Sequence, residues 1–399
     1  MGSVRFSRLF HCVTLAVIAS VMAVPLVSSI VPIPHTTLKG MNTNYPLPKW
    51  SFSQFRRHKL QSGIEVWASR AHPLWSWSIK IMNQLVYSTT GEISLDYGTS
   101  VQGGNEGYLW QPMYLRSITR KQPPPRKKIV STFKTLKKSQ DLLAQHRIPL
   151  VAVINPNLVA LYPELLPAKY QSPSLPESSY GVAQEAIARY QPRVVNAYEL
   201  LKTEAARYPF RFFEPTGSHW NDIGSCIAAR AVGEALADGW GESPPRLECE
   251  AHHMEMPPRE PEMDLLDITN LLLPNRLLRP APYLNHHPHA NFQKPRRILL
   301  VGTSFLFALE HQLLTHKIAE STHLLFYFRQ QRRNGKGHFA NFDKRSLTKD
   351  ELLSYDAIIV DANVAGPGIM GYGFLRYINA LLDPAEAEAI RARKNKKGR

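Results

Sequence analysis

Apolar residues along this chain fall into a few distinct patterns. The first is a single run over residues 9–31, interrupted mainly by His11, three serines, a threonine and Pro25, and preceded by Arg5 and Arg8. At ~1.5 Å rise per residue, about twenty such residues cross the roughly 30 Å hydrocarbon core of a bilayer, and leading arginines favour a cytoplasmic N-terminus. Residues 1–32 are therefore expected to be a signal anchor or signal peptide. Ala23-Val24-Pro25 makes a poor cleavage site because it ends in proline, which favours the uncleaved anchor. No second stretch is long and apolar enough to span a membrane, so one anchor carries a body on the far side.

Within the body the apolar period changes from segment to segment. Residues 33–100 are aromatic and mixed, with Trp50, Phe52, Phe55, Trp67, Trp75 and Trp77, and read as an N-terminal helical cap or linker. Residues 127–146 carry Ile129, Phe133, Leu136, Leu142 and Leu143 at helical spacing, with a basic outer face. Short apolar runs at 148–154, 298–301, 324–328 and 357–360 suit buried strands, and 194–198 is expected to be another. Helices are expected at 181–190, after Trp220, and at 305–314, while 242–293, rich in Pro and His, reads as a long loop. Strands alternating with helices predict a parallel sheet covered on both faces, with functional residues gathered beyond the C-terminal strand ends. Asn155, Ser304, Asp361 and Asn363 all fall there.

The formal charge is +16. Its densest cluster is Arg120, Lys121, Arg126, Lys127, Lys128, Lys134, Lys137 and Lys138, and residues 386–399 form a basic tail. Export removes the nucleic-acid reading and leaves a solvated face or an anionic partner such as a polysaccharide or a membrane surface. Cys226 and Cys249 lie outside the apolar run, free to pair or to remain thiols. His286, His287 and His289 lack the spacing of a zinc site, so no metal is expected.

Two residues carry candidate chemistry. Ser304 follows a strand-like run ending Gly302-Thr303 and precedes a helix, so its hydroxyl sits at a strand-to-helix turn with backbone N–H groups nearby to hold an oxyanion. The same position suits an ordinary N-cap. His219, in Gly217-Ser218-His219-Trp220-Asn221, is the candidate base that a serine nucleophile needs at neutral pH.

The order of short motifs adds a family. Gly-Ser-His-Trp-Asn-Asp-Ile-Gly from Gly217, Asp264-Leu265-Leu266-Asp267 leading to Asn270, Gly302-Thr303-Ser304-Phe305, and Tyr355 through Asp361 to Asn363 resemble, in that order, the SGNH-hydrolase-like proteins of the AlgJ/AlgX type. Asn83-Gln84-Leu85-Val86-Tyr87, Gly107-Tyr108-Leu109-Trp110 and Asn155-Pro156-Asn157 extend the likeness over roughly residues 45–380. The resemblance implies an SGNH-hydrolase-like three-layer α/β/α domain over 101–385 with a parallel central sheet. It also implies periplasmic O-acetylation of an exopolysaccharide, alginate or similar, through an acetyl-Ser intermediate, with no cofactor. Ser304 is then the nucleophile and His219 its base; Trp220, Asn221, Thr303 and Asn363 are candidates to line the site. A membrane-bound acyltransferase partner would pass acetyl groups outward. Two departures stand out: Thr303 replaces the family's usual Asp before the serine, and Gly217 replaces the acid two residues before the histidine. Asp361 and Glu214 are the candidate substitutes for that acid. A polysaccharide acetyl esterase and a non-catalytic polysaccharide-binding or assembly subunit are the alternatives.

Overall fold

The computed structural model describes residues 13–16, 19, 36–41, 46–70, 73–94, 100–118, 124–166, 170, 178–285, 296–383 and 385. The expected membrane segment lies outside them, apart from residues 13–16 and 19, which are helical. Among the described residues no helix is long and apolar enough to cross a membrane. Arg120, Lys121, His286, His287, His289 and the basic tail also lie outside the described residues.

The chain divides into two compact units, residues 1–101 with 265–276 and residues 102–264 with 277–399. The smaller unit carries the helices Phe52–Arg56, Lys59–Arg70 and Pro73–Thr90. Asn83 of the third donates to the Thr269 carbonyl at 2.7 Å, and Gln84 accepts from the Leu273 N–H at 3.1 Å.

The larger unit is built on a seven-stranded sheet: β1 (Leu150–Asn155), β2 (Val194–Val195), β3 (Arg297–Gly302), β4 (Ser321–Phe326), β5 (Gln330–Arg333), β6 (Lys336–Asn341) and β7 (Ala357–Asn363), in the order β6-β5-β4-β3-β7-β1-β2. The five strands from β4 to β2 are parallel. The expected all-parallel sheet is corrected to a mixed one, because β5 and β6 form an antiparallel hairpin that extends the β4 edge. Gln330-Gln331-Arg332-Arg333 and Lys336-Gly337-His338 have no buried face to produce an apolar alternation, so the hairpin gives no strand signal.

Side-chain alternation divides the core. Val151, Val153, Ile298, Leu300 and Ile359 pack on one face with α4 (Asp222–Trp240) and α5 (Phe305–Thr315). Leu150, Ala152, Ile154, Leu299, Val301 and Val360 pack on the other with α1 (Arg126–Ala144), α2 (Ser179–Tyr190) and α6 (Phe374–Leu382). The period of two along strands buried on both faces makes this the three-layer arrangement expected. The expected strand at 194–198 shrinks to Val194–Val195, because the Asn196 side chain accepts from the Glu199 N–H and starts α3 (Ala197–Glu204). The expected loop of 242–293 contains a ribbon pairing His253–Glu255 with Ala281–Tyr283, and a helix, Asp264–Thr269.

Cys226 of α4 and Cys249 form a disulfide across a separation of 23 residues. Closing a loop of that length in the unfolded chain stabilises the fold by about 3 kcal/mol in the chain-entropy account. Replacing both cysteines by serine should lower stability by about that amount in urea unfolding; an unchanged midpoint would show that the bridge constrains little.

Candidate active site

Strand β3 ends at Gly302, where the neighbouring strand leaves no room for a side chain: a Cβ there would sit 1.6 Å from Asp361 Oδ1. That carboxyl is fully buried at the end of β7. It accepts from the Thr303 N–H at 2.7 Å, from the Thr303 hydroxyl at 2.5 Å, and from the Asn155 amide. Burial pushes its pKa up to about 6 against these hydrogen bonds. Asp361 thus braces the turn that carries Ser304 and is not bonded to the histidine, which corrects its expected role as orienting acid. Thr303, expected to line the site, spends its hydroxyl on Asp361.

Ser304 opens α5 without making a side-chain cap, so its hydroxyl is free for another partner. That partner is His219, whose Nε2 lies 2.7 Å from Ser304 Oγ. The histidine stands at the end of a tight loop. Phe213 and Trp220 pair as an antiparallel bridge, and the Gly217 N–H returns to the Glu214 carbonyl at 3.1 Å. Trp220 is buried rather than lining, and its ring meets Phe305 edge-on at 5.4 Å; the imidazole meets the same Phe305 ring at 4.9 Å. Asn221 is likewise fully buried. Its side-chain Oδ1 caps α4 by accepting from the Gly224 N–H, and its side-chain amide donates to Glu214 and to the Arg211 carbonyl, each at 2.9 Å.

On the far side of the imidazole lies Asp264. His219 Nδ1 is 3.1 Å from Asp264 Oδ2 and 3.1 Å from Ser218 Oγ. Ser218 in turn donates its hydroxyl to Asp264 Oδ2 at 2.5 Å and its N–H to Oδ1 at 2.6 Å. Because the carboxylate and the occupied hydroxyl both present lone pairs, the network assigns the proton to Nδ1, leaving the Nε2 lone pair for the Ser304 hydroxyl. Burial works to raise the Asp264 pKa, but the hydrogen bond and charge of His219, with the two Ser218 donors, hold it below the usual carboxylate value. An ionised Asp264 therefore faces the ring that receives the serine proton.

Glu214, the other expected acid, is bonded to Asn221 rather than His219, and burial raises its pKa to about 7. Asn363 is a loop brace: it donates to the Pro156 carbonyl at 2.9 Å and accepts from Asn157 at 2.7 Å. Asp264 was present in the sequence as part of a motif, but nothing in its spacing assigned it a role. The space at Gly217 explains the departure there, since a Cβ would lie 2.6 Å from the Glu262 carbonyl oxygen. Tyr327, also unforeseen, follows β4 beside the serine turn, and its N–H bonds the Gly302 carbonyl at 2.8 Å.

Two outcomes follow for stability. Gly217→Ala should cost on the order of 2 kcal/mol or more through this backbone clash, measured as a lowered unfolding midpoint; a neutral change would show that the loop yields. Burial also raises Glu262 to about 8, so both it and Glu214 hold protons in the folded state where the unfolded chain, at about 4.3, has lost them. Their contribution is complete below that unfolded value and is lost as pH rises through about 7 and 8. Glu214→Gln should accordingly raise stability at pH 8 by about 1–3 kcal/mol and change it little at pH 4, read from thermal melts across that range.

The family model described as the SGNH hydrolase-like domain of acetyltransferase AlgX matches residues 104–312, a span containing His219, Asp264 and Ser304. No curated protein matches the chain. Among solved structures, the O-acetyltransferase domain of Pseudomonas putida AlgJ is similar at 17% identity and a TM-score of 0.44, covering 68% of this chain and 93% of that one. Pseudomonas aeruginosa AlgX is similar at 13% identity and a TM-score of 0.40, covering 72% and 68%. Bacillus cereus PatB1 is similar at 10% and 0.40, covering 67% and 97%. With the family model spanning more than half its length, the chain belongs to the SGNH-hydrolase-like acetyltransferase family of AlgX.

Proposed function

We propose that this acetyltransferase uses Ser304 as nucleophile, His219 as general base and acid, and Asp264 as the group that orients the imidazole. The observation that carries the assignment is the 2.7 Å contact from His219 Nε2 to Ser304 Oγ, continued on the other ring nitrogen to Asp264. In the first half-reaction the Ser304 oxygen adds to the acetyl carbonyl of a donor while its proton passes to Nε2. Collapse expels the donor's leaving group, which takes that proton, and acetyl-Ser304 remains. In the second half a sugar hydroxyl gives its proton to Nε2, attacks the ester carbonyl and departs acetylated, and Nε2 returns the proton to Ser304. Ser304 is the N-cap of α5, so its N–H is one of the helix-end donors that lack intrahelical partners, and is suited to the developing oxyanion.

The acceptor is an exopolysaccharide of the alginate kind, a reading supported by the family and by the +16 formal charge. The domain acts in the periplasm, held at the inner membrane by residues 1–32 as an uncleaved anchor. The disulfide between Cys226 and Cys249 suits an oxidising compartment. Acetyl groups reach it through a membrane-bound acyltransferase.

The full chain, given an activated acetyl ester and a polyuronate oligosaccharide, should transfer acetyl to sugar and accumulate an acetyl adduct on Ser304. Ser304→Ala should abolish both, and Asp264→Asn should lower kcat by about 10³–10⁴ without unfolding the protein. Undiminished transfer by Ser304→Ala would overturn the nucleophile, and acetate release without transfer would make the enzyme an esterase.

A further inference from the structure

We infer that a groove between α1 and the segment 367–376 is an acceptor subsite that takes a carboxylate-bearing sugar, an inference that rests on the acetyl-transfer reading above. The groove has a volume of about 410 Å³ and is lined in part by Lys128, Ser131, Thr132, Thr135, Tyr372 and Arg376. Among the described residues its lining supplies two cations and the Ser131 hydroxyl and no acidic residue, a composition complementary to a uronate and not to a cation; Thr132 and Thr135 donate their hydroxyls to backbone carbonyls.

Among the described residues its cations, Lys128 and Arg376, lack a carboxylate partner, as do Lys127 and Lys134 of α1, while other basic residues of that helix are paired. On the same helix Arg126 pairs with Glu185, Lys137 with Asp141, and Lys138 with Asp383 at 2.9 Å. Both Lys128 and Arg376 are exposed. Lys128, Ser131, Thr132 and Thr135 recur at helical spacing, so one face of α1 supplies the groove wall. The opposite wall is fixed: Thr132 Oγ1 donates to the Gly368 carbonyl at 3.1 Å.

The groove also leads to the turn that carries the nucleophile. Tyr372 lies between Gly371 and Gly373, and all three have positive φ, at 51°, 63° and 94°. A tyrosine in that region is strained, and strain of this kind persists where the surroundings impose it. Held there, the Tyr372 ring meets Tyr327 edge-on at 4.8 Å, and Tyr327, itself at φ 50°, donates its N–H to the Gly302 carbonyl at 2.8 Å, two residues before Ser304. A uronate held by Lys128 and Arg376 would thus sit at one end of a tyrosine-lined path whose other end is the turn that carries the reacting serine. A larger basic cleft, with Lys137, Arg147, Arg193 and Arg296, lies beside Leu150 where β1 begins, at the opposite end of the sheet from Ser304.

The test uses the full chain carrying Ser304→Ala, so that binding is read without turnover. This protein should bind a polyuronate oligosaccharide with an affinity that falls as salt rises. Adding Lys128→Gln and Arg376→Gln should weaken that binding by about tenfold or more. Binding of the same oligosaccharide with its carboxylates reduced to alcohols should not respond to the two substitutions. With Ser304 intact, Lys128→Gln/Arg376→Gln should raise KM for the polyuronate while hydrolysis of a small acetyl ester stays unchanged. Equal polyuronate affinity with and without the two cations would overturn the subsite even if acetyl transfer proceeds. Loss of binding to anionic lipid vesicles, with polyuronate binding retained, would overturn it in favour of a membrane contact. A carboxylate-dependent loss of polyuronate binding in a protein that transfers no acetyl would uphold the groove and reject the transferase reading.

Discussion

The buried carboxyl of Asp361 is the constraint on which the site depends. An unpaired charge at the end of a central strand would cost several kcal/mol, and here the group is satisfied by donors from the ends of both flanking strands: Thr303 after β3 and Asn155 at the end of β1. Three adjacent strands are thereby tied at their C-terminal ends. The tie also dictates sequence, since the approach of Oδ1 excludes any side chain at Gly302. Ser304 inherits its position from this knot, one residue beyond Thr303. A carboxyl that makes no bond to the histidine therefore decides where the histidine's partner stands.

The base is anchored independently, on the other side of Phe305. Asn221 caps α4 and reaches back to Arg211 and Glu214, closing the loop that ends in His219. Phe305 then makes T-shaped contacts with two neighbours, Trp220 in the core and the imidazole at the surface of the core. Because Phe305 follows Ser304 directly, the helix that carries the serine also packs the ring that receives its proton. Pre-organisation of this kind lets a short contact form without ordering a flexible loop during the reaction.

Much of this was legible in the chain itself. Strands buried on both faces are continuous apolar runs, so β1, β3 and β7 stand out, and the Gly-Thr-Ser turn beside β3 locates the serine. His219 was legible by motif order rather than by local pattern. The acid was not, because a carboxylate that acts across 45 residues leaves no periodic trace, and Asp264 lies in a stretch whose Pro and His content resembles a loop. Asp361 is eligible as an acid at a strand end, and Glu214 as one five residues before the histidine. Burial and hydrogen bonding, which sequence position does not encode, direct them instead to Thr303 and Asn221. The β5–β6 hairpin escaped for the opposite reason, since its side chains are largely outside the core and carry no alternation.

The missing acid and its substitute are one feature. Residues 262–264 are strapped against the histidine loop: Glu262 accepts from the Asp222 N–H at 3.0 Å and from the Tyr283 hydroxyl, and its carbonyl accepts from Thr216 Oγ1 at 3.2 Å. That strap brings a backbone oxygen so close to residue 217 that only glycine fits, which removes the usual place for an acid. Two residues further along, the same strap delivers Asp264 to Ser218 and to His219 Nδ1. An imidazole needs an oxygen at Nδ1 with a fixed direction, not an oxygen from a fixed place in the sequence. Whatever holds Glu262 in the core therefore also holds the orienting carboxylate. The buried, protonation-prone Glu262, remote from the reacting atoms, is for that reason part of what aligns them.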